Sequence, residues 1–221
     1  MAANQQFSSP RRLLLVEDDG LTAATISEVL TSHGFLVETV PGAAEAQRTA
    51  KDFDPDVALI DVSLGPGPTG ADLALALSRS APHIGLMLLT RHPDLRTAGL
   101  TPDDLPPGCA FLRKDQISDA RELVAAIETV LADRADEVRS DQDPTRPFAE
   151  LTDKQVNVLR LLALGMTNDA IAREMDAGVS TVERWIASIF RALDIPTSGD
   201  INPRIEAVRR YVAVAGLPEN D

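Results

Sequence analysis

Five side chains of complementary chemistry stand at or just beyond the ends of short apolar runs: Glu17 and Asp18 after Leu-Leu-Leu-Val, Asp61 after Val-Ala-Leu-Ile, Thr90 after Met-Leu-Leu, and Lys114 after Ala-Phe-Leu-Arg. Carboxylates grouped with a carbonyl and water make an oxygen cage for a hard cation such as magnesium. Such a cation neutralises charge on a transferred phosphoryl group and leaves a further carboxylate, Asp61, free to attack in line. Lys114 offers a compact positive charge to a phosphoryl oxygen, and the Thr90 hydroxyl offers a hydrogen bond. Each residue also has a plainer role. Asp61 could end a strand, Thr90 could cap one, Lys114 could begin a surface helix, and Glu17-Asp18-Asp19 could be a solvated helix start, where negative charge is favoured. Five suitable groups at four run ends make coincidence the weaker account.

The runs must be held side by side for this chemistry to assemble. Leu13–Val16 is apolar without alternation, as a strand buried on both faces is. Residues 21–32 carry Leu21, Ala24, Ile26, Val29 and Leu30 on a helical period, closed by Gly34. The cycle continues with strand 35–40, helix 42–51, strand 57–60, helix 70–80, strand 84–89, strand 109–112 and helix 116–132. Short apolar runs alternating with helices imply a doubly wound, five-stranded parallel sheet covered on both faces. The crevice at the strands' C-terminal ends is then the expected site. Residues 91–108 break the cycle: Pro93, Pro102, Pro106, Pro107, Gly99 and Gly108 leave room for a short helix at most.

Composition limits the function classes. The net charge is -13, and it divides as 10 basic against 19 acidic residues in 1–133, 3 against 4 in 134–149 and 8 against 11 in 150–221. With every segment acidic, the charge argues against an indiscriminate polyanion binder. The one cysteine, Cys109, lies in an apolar run and is expected buried and reduced. No stretch has the length of a membrane span and the N-terminus lacks a signal-peptide core, so a cytoplasmic location is expected. Residues 1–10 are polar and patternless, an expected disordered lead.

Residues 133–149 lose apolar periodicity and gain charge and proline, which marks a linker. Beyond it, in 150–221, only helices are expected. Thr152 caps a helix bearing Val156, Leu159, Leu162 and Leu164, and Thr167 caps a short one bearing Ile171 and Met175. After the turn Asp176-Ala177-Gly178, a third helix from about Ser180 to Leu193 turns Val182, Ile186, Ile189 and Phe190 inward. Two short helices joined by a tight turn form a helix-turn-helix, whose second helix enters the DNA major groove. Ser180, Thr181, Arg184, Trp185, Ser188 and Arg191 are then expected to face outward, with Lys154 and Arg173 as further phosphate contacts. On periodicity alone, a plain small helical bundle is the better account. A last helix, 204–215, has Ile205, Val208, Val212 and Val214 available for burial and could close the bundle.

Residues 11–132 resemble a response-regulator receiver domain: Leu-Leu-Leu-Val-Glu-Asp-Asp, Ala-Leu-Ile-Asp-Val-Ser-Leu, Met-Leu-Leu-Thr and Ala-Phe-Leu-Arg-Lys-Asp match its motifs in order. The resemblance implies a flavodoxin-like fold, Asp61 as phosphoacceptor, and Glu17, Asp18, Asp61 and the Ser63 carbonyl around Mg2+. It also implies Thr90 and Lys114 on the phosphoryl group, and Thr90 and Phe111 as a switch pair. Residues 150–221 are similar to the LuxR-type DNA-binding domain, and Ser-Thr-Val-Glu-Arg-Trp-Ile to its recognition helix. Together they resemble a NarL/FixJ-class response regulator. There are departures: Arg91 follows Thr90 where the family carries something small, and the proline-rich crossover replaces a helix. Ser180, Glu183 and Ala192 stand where basic residues are common, Trp185 where histidine is usual, and Gly178 where a cap residue is usual.

The reading is a two-component transcription regulator, phosphorylated at Asp61 by a histidine kinase, that dimerises on a double-stranded DNA operator when phosphorylated and touches no membrane. It would be an enzyme only in self-catalysing the gain and loss of its phosphoryl group. The rival is a receiver-controlled protein-interaction or dimerisation module, favoured by the acidic charge.

Overall fold

The computed structural model describes residues 10–140 and 146–218. The expected disordered lead thus lies, apart from Pro10, outside the described residues, as does part of the expected linker.

The first unit alternates strand and helix: β1 (Arg12–Val16), α1 (Gly20–Ser32), β2 (Leu36–Val40), α2 (Ala43–Phe53), β3 (Val57–Asp61), α3 (Gly70–Ser80), β4 (Gly85–Thr90), β5 (Cys109–Arg113) and α4 (Ala120–Leu131). The strands form one parallel sheet in the order β2-β1-β3-β4-β5. Leu13 pairs with Val57, Val16 with Ile60, and Asp61 with Leu89. The chain runs from β1 outward to β2 and then back to β3 on the other side. The ends of β1 and β3 therefore flank the point where strand order reverses, where the loops diverge into a crevice.

Hydrophobic burial explains the unbroken apolar runs. Leu13, Leu15, Val57, Leu59, Met87 and Leu89 join Leu123, Ile127 and Val130 of α4 in one core. Their neighbours Leu14, Val16, Ala58, Ile60 and Leu88 are equally buried. Both faces of the central strands are covered, so alternation has no role there. Edge strand β2 differs, with Leu36 49% exposed.

One helix starts later than the apolar period suggests. Residues 114–116 make a single 3-10 turn, and α4 begins at Ala120, because the Asp119 carboxylate caps the amides of Arg121 and Glu122. Cys109 is buried, as its apolar surroundings imply, and its thiol donates to the Ala110 carbonyl at 3.5 Å.

The second unit contains α5 (Asp153–Ala163), α6 (Asn168–Glu174), α7 (Val179–Ala192) and α8 (Pro203–Ala215). Thr152 and Gln155 form a capping box on α5, and Thr167 accepts from the Ala170 amide to start α6. Gly178 starts α7 without a side-chain cap. The turn before it is tight because Asp176 takes a left-handed backbone, φ 45°. Val156, Leu159, Leu162, Ile171, Val182, Ile186, Ile189 and Tyr211 make the core.

The described residues form two compact units. The first holds the described residues through Leu89 together with Leu105–Val138; the second holds Thr90–Asp104 and the residues from Arg139 onward. At one boundary, the Phe111 amide donates to the Val138 carbonyl and Ala135 is buried. At the other, the crossover between β4 and β5 has only the 3-10 turn Pro102–Asp104, and its Asp94, Arg96 and Thr97 are buried within the helical unit.

Candidate functional site

At the mouth of β1 and β3, the Lys114 ammonium donates to two carboxylates at once, 2.7 Å to Glu17 Oε2 and 2.6 Å to Asp61 Oδ2. Glu17 is 3% exposed and Asp61 8%, so the charges are held away from bulk water, where they interact strongly. Burial pushes the Glu17 carboxyl above its usual range and Asp61 adds to the rise, while the Lys114 hydrogen bond opposes it. Exposed Asp18 completes the group: carboxylate oxygens of Glu17, Asp18 and Asp61 all lie within 4.8 Å of one another. Three hard oxygen donors at that spacing suit an oxygen-seeking divalent cation. Asp19 is set apart from them as the cap of α1, accepting from the Thr22 amide at 2.7 Å.

The loop after Asp61 is fixed from its far end. Thr69 and Asp72 form a capping box at the start of α3. Gly70 is pressed against the end of β3, where a Cβ would lie 1.9 Å from the Asp61 carbonyl oxygen. Its amide donates to the Val62 carbonyl at 2.9 Å. Within this loop a Cβ on Gly65 would lie 3.3 Å from Asp18 Oδ2, and the Ser63 amide makes a long 3.4 Å bond to Asp61 Oδ1. Thr90, the last residue of β4, is 1% exposed, and its hydroxyl accepts from the His92 amide at 3.0 Å. Phe111 is wholly buried in the middle of β5.

In the helical unit, Ser180, Arg184 and Arg191 are exposed along α7 and Arg173 on α6, as the periodicity implies. Three others are only half exposed. Thr181 accepts from Arg184, while Ser188 accepts from Gln155 of α5 at 2.8 Å and donates to the Trp185 carbonyl. Trp185 packs partly against the core with Lys154 Nζ 5.1 Å over its ring. Trp185 and Ser188 are each drawn toward α5, the indole by burial and a cation–π contact with Lys154, the hydroxyl by its bond from Gln155.

Comparison with known proteins matches the two parts to two families, in this order along the chain. Residues 13–101 match the response regulator receiver domain, and residues 149–198 match the bacterial regulatory proteins of the luxR family. A receiver domain followed by a luxR-family region is the arrangement of a response regulator. Full-length relatives agree. The regulator is 22% identical to the oxygen regulatory protein NreC of Staphylococcus carnosus, over 86% of this chain and 94% of that one. It is 24% identical to the transcriptional regulatory protein FixJ of Azorhizobium caulinodans, over 94% of both. Its fold is like that of RcsB from Salmonella enterica serovar Typhimurium, whose structure was solved bound to the promoter rprA with BeF3-, at a TM-score of 0.59, 16% identity, and coverage of 93% of this chain and 99% of that one. This response regulator is thus a two-component regulator of transcription, and its family is regulatory and DNA-binding.

Of the regulator's sequence-derived site residues, Glu17, Asp18, Asp61 and Lys114 converge at one strand edge. Gly70 was not singled out from sequence, although a glycine opening a helix just after the Asp61 loop is a usable signal of close backbone approach. The tie between the Thr90 hydroxyl and the crossover backbone had no sequence signal. Among the described residues, no helix is long and apolar enough to cross a membrane.

Proposed function

We propose that this response regulator takes a phosphoryl group on Asp61 from a histidine kinase or a small phosphodonor, and that phosphorylation governs how the helical unit engages DNA. The observation that carries the proposal is the Lys114 ammonium bridging Glu17 and Asp61 in a crevice lined by Asp18. Glu17, Asp18, Asp61 and the Ser63 carbonyl would hold Mg2+, which supplies positive charge against the phosphoryl oxygens when bound. An Asp61 carboxylate oxygen bonds to phosphorus as the phosphorus bond to the donor's leaving atom breaks, and the leaving group departs with that electron pair. Lys114 releases the Asp61 oxygen and follows the charge onto a phosphoryl oxygen, while its contact with Glu17 keeps it in reach. Thr90 donates its hydroxyl to a second phosphoryl oxygen, and Phe111 reports the move as the switch partner. Because the chain supplies these groups itself, addition and hydrolysis of the phosphoryl group are self-catalysed, an enzymatic role of that limited kind.

The DNA-reading surface is α7, with Ser180, Thr181, Arg184 and Arg191 toward the groove, Arg173 on the backbone, and Lys154 and Trp185 acting as a stacked pair at the edge. The exposed Ile205, Val214 and Leu217 on and beyond α8 favour pairing of two copies on a two-half-site operator. These partners favour a cytoplasmic location, with a division of 11–132 for the receiver, whose crossover Thr90–Asp104 falls in the second unit, and 150–221 for the DNA-binding domain. Exposed Glu183 on α7, where phosphates would be repelled, favours the rival of a helical unit that binds protein and holds DNA weakly or not at all.

One experiment separates the two. Wild type and Asp61→Asn are treated with acetyl phosphate and Mg2+, Asp61 modification is followed by mass, and each is used to select from a random DNA pool. A palindrome enriched only by modified wild type supports the proposal. No enrichment despite confirmed modification overturns the DNA reading in favour of a protein partner, and no label on Asp61 overturns the phosphoryl reading.

A further inference from the structure

The crossover 91–104 carries three buried polar residues, and their partners identify its role. The Arg96 guanidinium is 5% exposed and all three of its nitrogens face oxygen. Nε and Nη2 meet the Asp94 carboxylate at 2.8 and 2.7 Å, Nη2 also donates to the Pro147 carbonyl at 2.9 Å, and Nη1 donates to the carbonyls of Leu151 at 3.1 Å and Phe148 at 3.4 Å. Asp94 is in turn fixed by the Thr97 amide at 2.9 Å. The Thr97 carbonyl accepts from the Tyr211 hydroxyl of α8 at 2.6 Å, and the Tyr211 ring stacks on Phe148 with centroids 6.0 Å apart. A side chain at Gly99 would collide with Arg160 of α5, its Cβ 2.7 Å from Nε. A buried arginine with every nitrogen engaged specifies one geometry, because any shift strands a charge. At its root, the same segment is tied to the Thr90 hydroxyl through the His92 amide.

We propose that residues 91–104 are a transmission strap: they are an integral part of the helical unit, clamped by Arg96 and Tyr211 to the entry of α5 and to α8, and they carry a change at Thr90 into those helices. The proposal rests on the phosphoryl reading of Asp61 and goes beyond it by naming the route. When the Thr90 hydroxyl turns to a phosphoryl oxygen, its bond from the His92 amide is altered. Six residues on, the Arg96–Thr97 clamp is stiff enough to pass that displacement to the residues 147–151 and to Tyr211. A crossover helix with a signalling face of its own is not needed.

The test is hydrogen exchange of the full chain by NMR or mass spectrometry, with and without beryllofluoride and Mg2+ as phosphoryl mimic, for wild type and Tyr211→Phe. The substitution keeps the ring stack and removes one buried hydrogen bond, worth about a fivefold change in local opening. The expected result is that the mimic alters exchange in 91–104 and in α8 together in wild type, whereas in Tyr211→Phe the strap still responds and the α8 response is lost. An α8 response equal in both proteins overturns the strap. If Asp61 takes no mimic, the phosphoryl reading fails, and the exchange of the untreated proteins judges the strap by itself. Tyr211→Phe speeding exchange at 97–100 and 148–151 with β1 and β3 unchanged supports it, and no change there, or a change spread into β3, overturns it.

Discussion

Gly70→Ala is the sharpest probe of how the Asp61 end of β3 is held, because two effects of opposite sign compete. Gly70 is the first residue of α3, and its φ is not positive, so alanine meets no backbone strain there. On chain entropy and helix propensity alone, alanine stabilises by about 0.4–1 kcal/mol. The new methyl, however, would sit 1.9 Å from the Asp61 carbonyl oxygen, 2.8 Å from its carbonyl carbon and 3.0 Å from the Val62 Cα. All three are backbone atoms, and no rotamer can relieve the clash. Restoring ordinary contact requires a separation of about 1.5 Å between α3 and the end of β3, an overpacking that costs about 1–3 kcal/mol. The net expectation is destabilisation by about 1–2 kcal/mol, read as a lower urea midpoint with an unchanged slope. Since the displaced backbone carries Asp61, a shift of about 1 Å also slows acetyl phosphate labelling by up to about 100-fold. A variant more stable than wild type that labels at the wild-type rate would refute the claim that this close approach positions the phosphoacceptor.

Lys114→Met removes the ammonium shared by Glu17 and Asp61, leaving nearly buried carboxylates side by side. The first unit is expected to lose about 3 kcal/mol and to gain more melting temperature from millimolar Mg2+ than wild type does; thermal melts with and without the cation, showing equal gains, would count against that pairing. Glu206 accepts from Arg209 and Arg210, with Arg209 the larger cause, and its carboxyl is held down to about 2 from the ordinary 4.5. A depressed folded value adds stability that is full above about 4.5 and lost as the pH falls toward about 2. Glu206→Gln is therefore expected to be less stable than wild type at neutral pH and equal to it near pH 2, and parallel acid titrations followed by circular dichroism would contradict the assignment.

The sequence by itself determined the alternation of strands and helices, because unbroken apolar runs such as Leu13–Val16 and Val57–Ile60 can be satisfied only by burial on both faces. It also determined the helix starts at Thr152 and Thr167, whose caps are local hydrogen bonds. The gathering of Glu17, Asp18, Asp61 and Lys114 was legible too, since parallel strands deliver their ends to one edge. What lay beyond the sequence were contacts between residues far apart in the chain. No local pattern announces that Gly70 must clear the Asp61 carbonyl, or that Trp185 is drawn toward Lys154. The prolines of the crossover told where a helix could not form but not what the segment would pack against. That was decided by the tertiary structure: buried Arg96 must find oxygens for all its nitrogens, and the carbonyls that engage Nη1 and Nη2 are 51 to 55 residues away.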